Sequence, residues 1–249
     1  MPNMPDALIL CGGAGLRLRS ITGNAPKPMA EVAGRPFLDL LLRQLRRWGF
    51  ERAILAVGYQ KEVIRSHFGE QALGLRLTYS FESSPMGTGG ALANAAGLVE
   101  SESVLIMNGD SYTELDLPAL FACYRESNVE ACLVVVPADG RHDVGSVFVH
   151  AAGRVVGFEE KSIGTHAPYA SAGIYVIERR LLYAIPSGRQ VSLEREILPR
   201  WLQEGKRLKA FVCQGRCTDI GTPQRYREAQ EILAQAEVEV LTSKCESPL

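Results

Sequence analysis

A basic excess is the first thing missing. The 249 residues carry 27 Lys and Arg against 28 Asp and Glu, a formal net charge of −1, with no stripe of one sign. Nucleic-acid binding draws most of its affinity from Lys and Arg on phosphates, so no nucleic-acid partner is expected. No apolar run is long enough to span a bilayer, and no charged n-region precedes the first one. Neither a membrane span nor a signal peptide is therefore expected. Cysteines are few and badly spaced. Of the six, Cys213 and Cys217 stand closest, four apart, with no Cys or His nearby to complete a zinc or redox site. Cys11, Cys132 and Cys213 lie in apolar, strand-like runs and read as small buried hydrophobes in a reducing compartment. That points to the cytoplasm. Repeats, linkers and low-complexity stretches are lacking too.

What is present is an ordinary globular composition, 46% hydrophobic and 22% charged. The length suits one large α/β domain. We expect it over residues 1–235, with a loose tail at 236–249, where helical periodicity fades. Short apolar runs at 7–11, 53–57, 75–79, 104–107 and 131–136 read as strands. Between them, 37–48, 62–68, 89–96 and 117–125 carry helical spacing. Strands separated by helices imply right-handed crossovers and a Rossmann-like, mostly parallel (mixed) sheet flanked by helices. The second half is less regular. It offers a ribbon at 146–149 and 155–158, a strand at 172–177, a helix at 193–202, a strand at 208–212 and a closing helix at 223–234. Ligands in such sheets bind beyond the carboxyl ends of the strands. The loops at 12–29 and 108–111 both follow strand ends and are expected to converge there.

The first of these loops opens Gly12-Gly13-Ala14-Gly15. Glycines let backbone N–H groups approach a phosphate, although a lone cluster means only a tight turn. This one fits neither the dinucleotide nor the Walker pattern. Arg17 and Arg19 follow, then Lys27 between Pro26 and Pro28. A lysine between prolines cannot sit inside a helix, and its stiff backbone presents the ammonium at little entropic cost. Alone it is an ordinary loop lysine. Beside a glycine loop it makes, with Arg17, a polyphosphate clamp.

The stretch from Leu10 to Met29, LCGGAGLRLRSITGNAPKPM, resembles the signature of the sugar nucleotidyltransferase family: GGxGxRL, a spacer, then PKPM. Leu16 stands where members often carry threonine. The resemblance implies a glycosyltransferase-A-like nucleotidyltransferase fold and an enzyme that joins a nucleoside monophosphate from an NTP to a sugar 1-phosphate. It places Leu10, Gly12, Gly13, Gly15, Arg17, Gly87, Thr88 and Asp110 on the nucleotide.

Asp110 ends the apolar strand VLIM-NGD, and Asp219 precedes a helix in TDIGTP. Singly these are a turn aspartate and a helix cap. The chemistry asks for both, because attack of a sugar phosphate on an α-phosphorus brings two anions together, and a hard cation on one or two carboxylates relieves the repulsion. The resemblance implies that Asp110 and Asp219 hold Mg2+. On the sugar side it implies Gly109, Gly145, Glu160, Lys161 and Ser171, the last replacing a usual Asn. Glu159 reads as a solvated loop charge.

Glu82 opens the loop that reads the base in this family. Guanine shows two neighbouring donors, N1–H and N2–H, and a carboxylate accepts both in a fork. Glu82 therefore favours GTP over the uracil and thymine donors, for which a glutamine near here is usual. The wider pattern, with RPFLDLLL, ILAVGY and PMGTGGAL, resembles the short guanylyltransferases for D-glycero-α-D-manno-heptose 1-phosphate up to about residue 232. A GDP-sugar for lipopolysaccharide, capsule or S-layer glycan is what that implies. Two readings compete: a uridylyl- or thymidylyltransferase for a hexose or amino-sugar 1-phosphate, and a non-catalytic sensor of nucleotide sugars, which predicts decay of the clamp. The surface at 44–48 leaves a homodimer open.

Overall fold

The computed structural model describes residues 4–126, 128–138, 145–160 and 167–243, with side chains through Ala234. The main sheet is built from β1 (Asp6–Cys11), β2 (Arg52–Val57), β3 (Leu75–Phe81), β4 (Ser103–Asn108), β5 (Ala131–Pro137), β6 (Gly145–Val149), β7 (Val155–Glu160), β8 (Tyr169–Glu178) and β9 (Leu208–Val212). Its helices are α1 (Phe37–Arg47), α2 (Lys61–Phe68), α3 (Gly87–Ala95), α4 (Leu117–Glu126), α5 (Arg179–Tyr183), α6 (Leu198–Gln203) and α7 (Pro223–Ser243).

Strand order across the body of the sheet is β3-β2-β1-β4-β8-β5-β9. The β1, β2, β3 and β4 ladders are parallel, as are β5 and β9. β8 runs antiparallel between β4 and β5, and its first residues also pair with β6 of the β6–β7 hairpin. The expected mixed sheet is therefore present, with β8 as its hinge between a parallel half and a mixed half.

The reason these runs become central strands lies in their pleat. Successive side chains point to opposite faces, so a strand covered on both faces is apolar throughout. Ala7, Ile9 and Cys11 of β1 enter one core and Leu8 the other. Leu105 and Met107 of β4 join the first, Val104 and Ile106 the second. The first core is closed by Leu38, Leu41, Leu42 and Leu45 of α1, by α4, and by Ala229 and Leu233 of α7. The second is closed by Leu92 of α3 and by Leu198 and Trp201 of α6.

Several expectations change in detail. The helix at 193–202 begins as a π-turn, Leu193–Ile197, before α6. The closing helix does not stop at 234 but runs to Ser243, so part of the expected loose tail is helical. In the 44–48 stretch, Gln44 faces inward, 4% exposed, and donates to Thr113 O at 2.7 Å. Arg46 and Arg47 there are exposed, and Trp48 is half-buried against the core. Among the described residues no helix is long and apolar enough to cross a membrane.

Candidate active site

A cleft of about 550 Å³ opens beyond the carboxyl ends of the parallel strands. Its floor is where β1 and β4 end side by side, Leu10 beside Asn108. The Gly109 N–H donates to Leu10 O at 3.0 Å, locking the two strand ends together. Into this floor comes Lys27. Pro26 is extended (φ −63°, ψ 143°) and hands the chain to a 3-10 turn over Lys27–Met29. The prolines fix φ, so the lysine stem leaves a rigid base. Its ammonium forms an ion pair with Asp110 Oδ2. The Lys27 side chain is 12% exposed and that of Asp110 34%. Burial pushes the Asp110 carboxyl up, but the Lys27 ammonium, the Ser111 hydroxyl and the Arg17 charge outweigh it and hold the group below the usual carboxylate range.

The opposite wall carries Glu82, which is 7% exposed. Its N–H donates to Val57 O at 2.8 Å, extending the β2–β3 pairing by one residue. One carboxylate oxygen accepts the Met86 N–H at 3.2 Å. The other lies against Gly12, where a Cβ would stand 2.1 Å from it. Only glycine lets the loop pass this close. Burial raises the Glu82 pKa, and the Met86 N–H opposes that only in part. The result is a desolvated pair of acceptor oxygens on the cleft wall. Gly13, Gly87 and Thr88 complete the lining on this side.

A second cavity of about 220 Å³ meets the cleft at Thr88, Asn108 and Asp110, which line both. The short antiparallel pair Ser111–Thr113 with Cys217–Asp219 sets Asp219 opposite Ser111. The Ile220 N–H donates to Asp110 O at 3.0 Å. Two aspartates far apart in sequence thus reach one cavity wall. Asp219 accepts the Gly221 N–H at 2.7 Å and the Arg225 guanidinium at 3.1 and 3.3 Å. Gly145, Glu160 and Ser171 face the same space. Lys161 lies outside the described residues. Glu159 is exposed, as expected, but it lies in β7 and not in a loop.

β8 bulges here, its register against β5 shifting between Ser171 and Tyr175. Gly173, in the bulge, has φ +71° and packs on the Asn108 amide, where a Cβ would lie 2.4 Å from Nδ2. Bulges re-aim side chains beside sites. This one brings Ser171 Oγ within 3.2 Å of the Tyr175 hydroxyl, which also donates to Glu194 at 3.4 Å. Glu194, on the π-turn, accepts the Thr88 hydroxyl at 2.5 Å and that of Ser192 at 3.2 Å.

Three placements differ from the sequence reading. Arg17, expected on the nucleotide, lines the smaller cavity and not the larger cleft. Gly109, expected on the sugar, lines the large cleft and not the smaller cavity, because it is the turn that ends β4. Gly15 lines neither cavity. Its φ is +60° and it backs the Lys27 stem. The sequence reading missed Asn108, Tyr175, Glu194 and Arg225. Tyr175 was visible as part of an apolar strand. Nothing local distinguishes Arg225 from any helix arginine.

Chemically, the cleft and cavity place cations beside carboxylates, Lys27 on Asp110 and Arg225 on Asp219. The Cys11 thiol is pushed far up by burial and then by Asp110 and Glu82, so it stays neutral and is no nucleophile. Among the described residues no group of three or more His, Cys, Asp or Glu is placed to hold a metal ion. Two carboxylates, Asp110 and Asp219, are nonetheless on one wall. Their hard oxygens suit a cation that keeps water and phosphate oxygens as its other ligands.

The nucleotidyl transferase family model matches residues 6–236. The mannose-1-phosphate guanylyltransferase of Mycobacterium tuberculosis is 38% identical over 223 residues, covering 89% of this chain and 62% of that protein. The D-glycero-alpha-D-manno-heptose 1-phosphate guanylyltransferase of Aneurinibacillus thermoaerophilus is 33% identical over 229 residues, 92% of this chain and 98% of that one. Among solved structures, HddC from Yersinia pseudotuberculosis complexed with GMP-PN superposes with a TM-score of 0.79 at 31% identity, covering 92% of this chain and all of that one.

Proposed function

The chain belongs to the nucleotidyl transferase family, and on that premise we propose that it transfers GMP from GTP to a sugar 1-phosphate, releasing pyrophosphate. The acceptor we favour is D-glycero-α-D-manno-heptose 1-phosphate, the substrate named for a relative whose length this chain spans almost fully. The product is then a GDP-sugar for glycan synthesis. The observation that carries the reading is the Lys27–Asp110 ion pair, placed where a nucleotide-sized cleft meets a smaller polar cavity.

GTP lies with its base against Glu82 and its phosphates over the Gly12 and Gly13 backbone. The Glu82 carboxylate accepts guanine N1–H and N2–H. An oxygen of the sugar phosphate attacks the α-phosphorus in line. The new P–O bond forms as the α–β bridge breaks, and its electron pair leaves with pyrophosphate. Lys27 holds the developing negative charge. Arg17 orients the acceptor phosphate from the smaller cavity, with Lys161 in the same role. Asp110 and Asp219 would hold Mg2+, which supplies charge neutralisation between the two phosphates. No general base is needed, because the attacking oxygen is already anionic. Catalysis is positioning plus electrostatics.

Pyrophosphate release is the test, measured for each common NTP with magnesium against mannose, glucose, N-acetylglucosamine and D-glycero-α-D-manno-heptose 1-phosphates. Release confined to GTP and the heptose is expected. Release with GTP and mannose 1-phosphate keeps the donor and replaces the acceptor. Release with UTP or dTTP discards the role of Glu82. Silence throughout discards the enzyme.

A further inference from the structure

The last helix, α7, grips both sides of the reaction centre, yet only one of those grips touches it. At its first turn Arg225 holds Asp219. From the next residue, the Tyr226 hydroxyl donates to Glu31 O at 2.5 Å. The Gln230 amide donates to the same oxygen at 2.6 Å and to the Tyr226 hydroxyl at 2.8 Å, while its own carbonyl accepts the Ala33 N–H at 3.0 Å. Neither Tyr226 nor Gln230 lines either cavity. Below them Ala229 and Leu233 are buried in the same core as Val32.

Glu31 lies four residues after Lys27, and the segment between is stiff. The Met29 N–H donates to Pro26 O at 2.8 Å and the Ala30 N–H to Lys27 O at 3.0 Å. Pro28 is buried and fixes φ within the turn. A displacement at Glu31 is therefore passed to the Lys27 Cα instead of being absorbed on the way. We propose that Tyr226 and Gln230 are positioning residues that set the Lys27 ammonium against Asp110, and that α7 thereby keeps Lys27 and Asp219 in one fixed relation. This rests on the transfer chemistry proposed above.

The test is steady-state kinetics on Tyr226→Phe and Gln230→Met with the donor and acceptor found by the panel. A misplaced charge costs turnover more than binding. The expected result is a fall in kcat of about tenfold with both KM values within twofold. In a Lys27→Ala background the Tyr226→Phe change is expected to cost less than twofold, because residues acting through one group are not additive. Hydrogen exchange supplies the second measurement, with amides 29–33 expected to exchange faster in both variants and amides 145–149 unchanged. An unaltered kcat, or the same loss with and without Lys27, overturns the proposal. Should wild type release no pyrophosphate with any pair, the transfer reading fails by itself. Exchange at 29–33 then decides whether the helix holds this segment at all.

Discussion

The two cavities that meet at Asp110 are made of different materials. The larger is built at the strand ends of the parallel half and the loops after them, with Gly12 passing close to the Glu82 carboxylate. The smaller carries more polar side chains, with Glu160, Ser171, Tyr175, Glu194 and Asp219 arriving from the mixed half, the π-turn and the short strand before α7. Backbone N–H groups suit phosphates, which are alike in every nucleotide. Hydroxyl and carboxylate side chains suit a sugar, where one hydroxyl's orientation must be read. If the larger cleft takes the donor and the smaller cavity the acceptor, as proposed, the donor side is hard to alter and the acceptor side is open to substitution, residue by residue.

Asp110 belongs to both regions, and removing it tests whether they form one machine. Asp110→Asn is expected to lower kcat by roughly 10³-fold. It also strips a mostly buried ammonium of its partner, at a cost of about 1–3 kcal/mol in stability by chemical denaturation. Turnover within tenfold of wild type breaks the idea of a shared centre.

Next in size are two glycine substitutions that separate the regions. Gly12→Ala drives a methyl into the Glu82 carboxylate, and Gly145→Ala places one 2.5 Å from the Phe158 ring and 3.1 Å from Glu160 Oε2. The first is expected to raise KM for GTP by roughly 10²-fold and spare the sugar phosphate, the second the reverse. Competition binding with each substrate alone checks this. A change in both affinities from either variant denies the division of labour.

The smallest effects come from comparing Glu82 with Asp110 as acids. Glu82→Gln keeps an acceptor for one guanine donor and loses the fork. Preference for GTP over UTP in kcat/KM is expected to narrow by about 10- to 10²-fold. The stability consequences have opposite signs. Burial raises the Glu82 pKa above its ordinary 4.5, so its charge costs stability that appears as pH rises through the raised value. Asp110 is held below its ordinary 3.8, so it contributes stability above that range and loses it as pH falls through the lowered value. Melting temperatures from pH 3 to 8 should show Glu82→Gln gaining on wild type only toward neutral pH. A gain that is largest in acid reverses the assignment.

Much of the larger cleft was legible because its signals are local. An apolar strand, a glycine turn and a lysine between prolines are each written in consecutive residues, and the loops they predict do converge. The smaller cavity was legible only residue by residue. Gly145, Glu160 and Ser171, which the resemblance assigned to the sugar, line one cavity, and Arg17, assigned to the nucleotide, lines it with them. Tyr175, Glu194 and Arg225 had no local mark. Their roles come from a bulge, a π-turn and a helix that starts beside Asp219.

By itself the sequence determined the strands, the layered sheet and the stiff presentation of Lys27, because pleat, periodicity and proline geometry act over a few residues. The tertiary structure alone decided which carboxylates meet which cations. Asp110 and Asp219 reach one wall through a short pair of strands, and Glu82 is desolvated by a loop some seventy residues before it. Such encounters depend on chain crossings that bring distant segments together, and no window of sequence contains them.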